Sequence, residues 1–312
     1  MKSIISSVIA AGLLAAIPLS LEASIERTVE KTFAVKPGGT LKVETAGGNI
    51  TVDPGAGDAV KVVAKERIRA SSDAEADDIL KDLTLTIEQQ GNDVSAVAKY
   101  TRATGWFSGR QPVQVDFVVT VPSQYSATLR TSGGNLEVGD LAGTMDLKTS
   151  GGNVKLGAVD GTVVASTSGG NVRLGSCTGD TKLRTSGGTV EADRIVGQAD
   201  LGTSGGDIKV KTVENVLAAH TSGGDVEAGI TGALKGDCSL STSGGDVKVR
   251  VDKAAAFRLD AATSGGSVHA DGLTITLDGG ASGRSHLSGN VNGGGPLLKL
   301  RTSGGSIRVV SD

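Results

Sequence analysis

Thr131-Ser132-Gly133-Gly134-Asn135-Leu136-Glu137-Val138-Gly139-Asp140-Leu141-Ala142-Gly143-Thr144-Met145-Asp146-Leu147-Lys148 is followed at Thr149 by the tetrapeptide that opened it. Thr-Ser-Gly-Gly starts at Thr131, Thr149, Thr167, Thr185, Thr203 and Thr221, always 18 residues apart, and again at Thr242, Thr263 and Thr302 after steps of 21, 21 and 39. A fixed period of this length marks a chain wound into stacked units, none of which can bury its apolar face alone. The longer steps are expected to hold small insertions and one degenerate coil around Leu287-Ser288-Gly289-Asn290. Thr45-Ala46-Gly47-Gly48-Asn49 is a forerunner of the motif.

Inside each unit the pattern has period two. After Gly-Gly, apolar and charged residues alternate, as in Leu136-Glu137-Val138, Val154-Lys155-Leu156 and Val172-Arg173-Leu174. That alternation reads as a half-buried strand. A second alternation precedes each Thr-Ser, placing Met145 and Leu147, then Val163 and Ala165, in apolar slots. The predicted architecture is all-β: a single-stranded β-helix, or solenoid, of ~18-residue coils with two short strands each. Coils stacked at ~4.8 Å would make a rod of roughly 45–50 Å. The turns fall at Gly133-Gly134, Gly151-Gly152, Gly169-Gly170, Gly187-Gly188, Gly205-Gly206, Gly223-Gly224, Gly244-Gly245, Gly265-Gly266 and Gly304-Gly305. A second series of turns is expected at Gly143, Gly161, Gly179 and Gly197. Glycine in both series is expected to supply the positive φ of tight corners.

A left-handed hexapeptide helix also closes a coil in 18 residues, but it needs an aliphatic residue at every sixth position. Stepping from Leu136 reaches Ala142 and then Lys148, so that rival fails. An antiparallel stack of hairpins stays open. Six of the seven aromatic residues precede residue 131, which suits a thin coil lined by Val, Leu, Ile and Ala beyond it.

Residues 1–23 read as a signal peptide, with Lys2 before the apolar stretch Ile4 to Leu19 and a cut after Ala23. No cysteine follows that stretch, so a lipidated cysteine is not expected, and no later apolar run is long enough to span a bilayer. Residues 24–130 read as a small β-rich module with strands near Glu30–Val35, Thr40–Val43 and Ala59–Glu66. Ser72-Asp73-Ala74-Glu75 matches a capping box and predicts a short helix near 73–82. Two longer strands, Asp93–Arg102 and Val113–Val121, are expected to form a hairpin around Gly105-Trp106-Phe107-Ser108-Gly109. Residues 131–312 are the solenoid.

Charges are mixed along the chain, 31 basic against 34 acidic, so no basic stripe points to nucleic acid. Stacking puts Glu137, Lys155, Arg173, Glu191, Lys209, Glu227, Lys248, His269 and Arg308 in one outward row, read as cross-strand ion pairing. The residue after Gly-Gly is Asn135, Asn153 and Asn171, then Asp207, Asp225 and Asp246. Stacked aspartates are calcium candidates, since Ca²⁺ takes six to eight oxygens; an Asx turn explains the same residues without a metal. Cys177 and Cys238 fall in different phases of the unit, about 14 Å apart at ~4.8 Å per coil, and are expected as free thiols. The histidines (His220, His269, His286) are scattered and no catalytic constellation or cofactor motif is present. Trp106 and Phe107 are candidate binding residues, because an aromatic tip can anchor a partner or a membrane interface.

Phe33-Ala34-Val35-Lys36-Pro37-Gly38-Gly39, Gly47-Gly48-Asn49-Ile50, Val121-Pro122 and the repeated Thr-Ser-Gly-Gly-Asn/Asp-Val together resemble the bacterial putative-adhesin β-strand-repeat family of unknown function. The resemblance implies a β-solenoid body in the envelope or on the cell surface; it carries over no site residue. The expected function is a non-enzymatic surface adhesin or interaction scaffold whose protein or glycan ligand is unspecified. A periplasmic, envelope-stress-related binding module is the alternative, and a polysaccharide-active β-helix enzyme the third reading. The end at Val309-Val310-Ser311-Asp312 follows the last strand directly, which counts against an anchored adhesin and leaves an open coil edge for end-to-end self-association.

Overall fold

The computed structural model describes residues 24–101 and 112–311. The signal-peptide reading of residues 1–23 and the Trp106-Phe107 tip therefore lie outside the described residues. Each coil contributes one strand before its Thr-Ser-Gly-Gly corner and one after it. These lie in two separate 14-stranded sheets, here sheet II (before the corner) and sheet I (after it). Neighbouring coils pair in parallel with a shift of one repeat. In sheet I Val154 stands beside Leu136 and Val172, and in sheet II Leu147 stands beside Leu129 and Ala165. The predicted solenoid is thus observed, and the stack of hairpins is not.

The alternation read from the sequence sorts the side chains between core and solvent. Leu136, Val154, Val172, Val190, Ile208, Val226, Val247 and Ile307 form one inward column, every member at 0% exposure. Leu129, Leu147, Ala165, Leu183, Leu201, Ala219, Leu240 and Leu300 face them from sheet II. A third column, Leu141, Val159, Cys177, Ile195, Val213, Ile230 and Val251, closes the narrow end of the core. Each buried aliphatic side chain contributes about 1.5–3 kcal/mol relative to exposure. A column of them stabilises the stack without any coil having a core of its own.

Counting inward from the edges, each sheet carries eleven parallel rungs, a length of roughly 48 Å at ~4.8 Å per step. Their order follows the chain only in the middle. At the C-terminal end, Leu297–Thr302 and Ile307–Ser311 insert between the Thr242 coil (Cys238–Ser241, Val247–Val251) and the Thr263 coil (Phe257–Thr263, Val268–Asp271). The last coil of the chain is therefore the second-to-last of the stack. The 39-residue step does not hold a degenerate coil. Its segment His286–Val291 is the shared antiparallel partner of Phe257–Thr263 and Ile275–Gly283. The carbonyls of Arg284 and Ser285 in the connecting turn accept from the amides of Val268 and Thr263.

The N-terminal end shows the same exchange. Thr40–Glu44 and Ile50–Gly55 lie between the Thr131 coil (Ser126–Arg130, Leu136–Val138) and an outer coil made of Asp93–Tyr100 and Val113–Pro122. Asp93–Tyr100 is in sheet II and Val113–Pro122 in sheet I, so the two strands are not a hairpin, contrary to expectation. Neither sheet is interrupted at residue 130: Thr45-Ala46-Gly47-Gly48 is the corner of a full coil of the same stack. Beyond the outer coil, Ala59–Ile68 and Ile25–Ala34 extend sheet I antiparallel, and Leu83–Gln90 extends sheet II. The helix spans Asp73–Leu80, with Ser72 Oγ accepting from Glu75 N; Glu75 reaches back to Ser71, one residue before the cap.

The expected open edge at Val309-Val310 does not exist, because Ile307–Ser311 is paired on both sides. The outermost strand of sheet I at the other end, Ile25–Ala34, turns Arg27 and Lys31 inward, where they meet Asp77 and the Ile87 carbonyl. Inward-pointing charge on an edge strand discourages pairing with a second chain.

Candidate functional surface

Three sets of polar side chains repeat along the rod, and most of what they do is hold coils together. The first is the buried threonine of each corner. Its hydroxyl donates to the carbonyl of the second glycine in the preceding rung, at 2.6–2.9 Å from Thr131, Thr149, Thr167, Thr185, Thr203, Thr221, Thr242, Thr302 and Thr263. It also accepts from the amide of the second glycine in its own corner at 3.2–3.4 Å. Donor and acceptor are both used, which is what burial of a hydroxyl demands. The swap of coil order is visible here as well, since Thr302 bonds to Gly245 and Thr263 to Gly305.

The same carbonyl explains the second glycine, and it corrects the expected role of the pair. No glycine of the nine Thr-Ser-Gly-Gly corners has a positive φ; of the second series, Gly143 and Gly161 do, at 144° and 154°. The second glycine is required by close approach instead. A Cβ on Gly170 would lie 2.1 Å from the Gly152 oxygen, and one on Gly188 2.1 Å from the Gly170 oxygen. The first glycine is looser, with 3.4 Å available at Gly169 and Gly187.

The second set follows the glycines. One side-chain oxygen of Asn135, Asn153 and Asn171 accepts at 2.8 Å from the backbone amide one rung on. Asp207, Asp225 and Asp246 do the same for the amides of Asp225, Asp246 and Ser306 at 3.0, 2.8 and 2.6 Å. These bonds run between coils and are not the local Asx turns expected from the sequence. The Asp225 amide, and then Lys209, hold the Asp207 carboxyl below the usual range. The amides thus account for aspartate in this column, and among the described residues no cluster of three His, Cys, Asp or Glu side chains is placed to hold a metal ion.

The third set is charged. On the outer face of sheet I the expected row is in register, and Lys155–Glu137 (2.5 Å), Arg173–Glu191 (3.3 Å) and Lys248–Glu227 (3.2 Å) pair across rungs. Sheet II carries a device that the sequence reading missed. Arg130, Arg184 and Arg301, each just before a corner threonine, turn one guanidinium nitrogen to the carbonyl of Leu129, Leu183 or Leu300 and another to Asp146, Asp200 or Asp260 on an adjacent rung. Arg184 and Arg301 hold the carboxyls of Asp200 and Asp260 below the ordinary range. The signal was present: Arg130 to Asp146 and Arg184 to Asp200 are both 16 residues, one repeat less two.

Cys177 and Cys238 are free and buried, and burial pushes the Cys238 thiol up. Cys238 begins a strand three rungs from Thr181–Arg184, which follows Cys177. His220 contacts Ser241, His269 contacts Ser267 and His286 faces Asp260, so the three histidines do not come together. A concavity with convergent charge of both signs lies on sheet I near the C-terminal end, where Asp225, Glu227, Asp246, Ser267, Ser306, Lys248 and Arg308 line a cleft of about 510 Å³. Among the described residues no helix is long and apolar enough to cross a membrane.

Among solved structures, a putative adhesin from Parabacteroides distasonis is 13% identical, with 91% of this chain and 97% of that one covered and a TM-score of 0.49. A putative adhesin from Bacteroides fragilis is 14% identical over 91% and 97% of the chains, with a TM-score of 0.44. A putative lipid binding protein from Parabacteroides distasonis is 12% identical over 90% and 96%, with a TM-score of 0.39. No curated protein gives a match. The family model described as Toastrack DUF4097 matches residues 39–310, across both sheets and both exchanged ends, and the chain belongs to that family.

Proposed function

We propose that the protein is an exported, non-enzymatic interaction scaffold of the bacterial cell envelope, displaying its sheet faces to a protein or glycan at the cell surface. The observation that carries this reading is where the polar chemistry goes. Buried threonines, corner Asn and Asp residues and the Arg–Asp clamps are bonded to neighbouring rungs, so they build a long rigid surface and do not converge on one reacting centre. Such a surface suits an extended ligand, as solenoids use their length for binding. Export rests on Lys2, the apolar run Ile4 to Leu19 and Ala23.

Protease shaving of intact cells, followed by immunoblotting with a periplasmic control, tests the location. Loss of the protein while the control survives is the expected result. Full protection would move the scaffold to the periplasm, and recovery of the protein in the cytosolic fraction would overturn export.

A further inference from the structure

The outward row on sheet I changes character at its C-terminal end. From Glu137 to Glu227 its signs are mixed, but the next three rungs carry Lys248, Arg308 and His269 in register, with no acid among them. Arg308 stands between the other two only because the last coil inserts into the stack. The Lys248 and Arg308 side chains are 49% and 59% exposed; Lys248 leans on Glu227, and Arg308 Nε faces Asp271 at 3.7 Å. His269 Nε2 lies 2.9 Å from Ser267 Oγ. Along the other wall of the cleft, Asp225 and Asp246 each commit one carboxylate oxygen to a backbone amide, and Ser306 lies on the next rung. Charge along the chain has the same polarity: residues 242–311 hold eight Lys and Arg against five Asp, whereas residues 131–241 hold nine against thirteen acids.

We infer that this cleft binds an acidic sugar unit of a polysaccharide, its carboxylate on Lys248, Arg308 and His269 and its hydroxyls on Asp225, Asp246 and the two serines. Arginine is suited to a carboxylate because its fork donates two parallel hydrogen bonds. The second oxygens of Asp225 and Asp246 accept from sugar hydroxyls, which a neighbouring phosphate chain does not offer. A nucleic acid is disfavoured by the lack of an aromatic platform in the cleft. A lipid surface is disfavoured too: the exposed large apolar residues, Val164 and Leu277, do not line it.

The inference rests on the scaffold reading and is tested by calorimetric titration of residues 24–312 with polygalacturonate fragments, with dextran and inorganic polyphosphate as comparators. Polygalacturonate is expected to bind, dextran not at all and polyphosphate more weakly. Lys248→Gln with Arg308→Gln is expected to weaken binding at least tenfold with an unchanged melting temperature. Lys155→Gln with Arg173→Gln, on the same row but away from the cleft, leaves it unchanged. Absence of polygalacturonate binding, tighter binding of polyphosphate, or parental affinity in the Lys248/Arg308 variant would each overturn the inference while leaving a scaffold for another ligand. Shortening of the polymer during the titration would overturn the non-enzymatic reading and the inference with it.

Discussion

The middle of the rod and its two ends are built from the same coil but stacked by different rules. Between Thr131 and Thr242 every coil lies on the one before it in the chain. At each end the first or last coil is drawn inside; antiparallel strands are laid over both sheets at the N-terminal end and over sheet II at the C-terminal end, where Val268–Asp271 is the outermost strand of sheet I. A parallel stack that followed the chain to its ends would finish in two strands with unpaired amides and carbonyls, a template for aggregation. Exchange of order goes with segments that are not coils at three of the four sheet ends: Ile25–Ala34 and Leu83–Gln90 at one end of the rod, and the Ile275–Val291 hairpin on sheet II at the other. The lesson is that a repeat specifies the contact between rungs and leaves open which rung comes next.

The glycine pairs give the largest expected effect. Gly170→Ala in the middle of the rod forces a Cβ against the Gly152 carbonyl, and because the atoms it meets are backbone they cannot swing aside, so a loss of roughly 3 kcal/mol is expected. Gly169→Ala meets only ordinary contact at 3.4 Å and stays within about 1 kcal/mol of the parent. Chemical denaturation of the two variants separates a close-approach role from a turn-conformation role, which would penalise both.

Threonine substitutions sharpen the comparison between middle and end. Thr185→Val strands the Gly170 carbonyl and the Gly188 amide without their partner, at a cost of about 1–3 kcal/mol. Thr302→Val should cost about as much, because its coil is covered on both sides. In a rod stacked strictly in chain order Thr302 would sit on a fraying terminal coil, and its replacement would be nearly silent.

Much of this was legible in the residues. Period 18 with period two inside it encodes two strands per coil and points Leu136, Val154 and Val172 inward. The coil order was not legible, because the register of Thr302 against Gly245 depends on long-range pairing that no spacing encodes. The strands Asp93–Tyr100 and Val113–Pro122 looked like a hairpin for the same reason: alternation shows which residues face inward and is silent on whether the partner is near or far in sequence. The basic end of the sheet I row is hidden in the sequence because Arg308 becomes the neighbour of Lys248 only through the exchanged coil order.

The smallest effect is electrostatic. The folded-state carboxyls of Asp200 and Asp260 lie below the unfolded value of about 3.9, so each clamp contributes stability above roughly pH 4 and loses it as the pH falls through the lowered folded value. Both pairs are partly exposed, so each is worth tenths of a kcal/mol to about 1 kcal/mol. Arg184→Gln should flatten the acid limb of the melting-temperature profile below pH 4 and leave the limb near pH 7 nearly parallel to the parent.

Cysteine cross-linking tests the exchanged ends most directly. In a background with Cys177 and Cys238 replaced by alanine, Lys248→Cys is paired either with Arg308→Cys, its register partner, or with His269→Cys, two rungs away. Oxidation is expected to link the first pair rapidly and leave the second as free thiols. Rapid linkage of the Lys248 and His269 positions, with none between Lys248 and Arg308, would show a stack that follows the chain and would contradict this account.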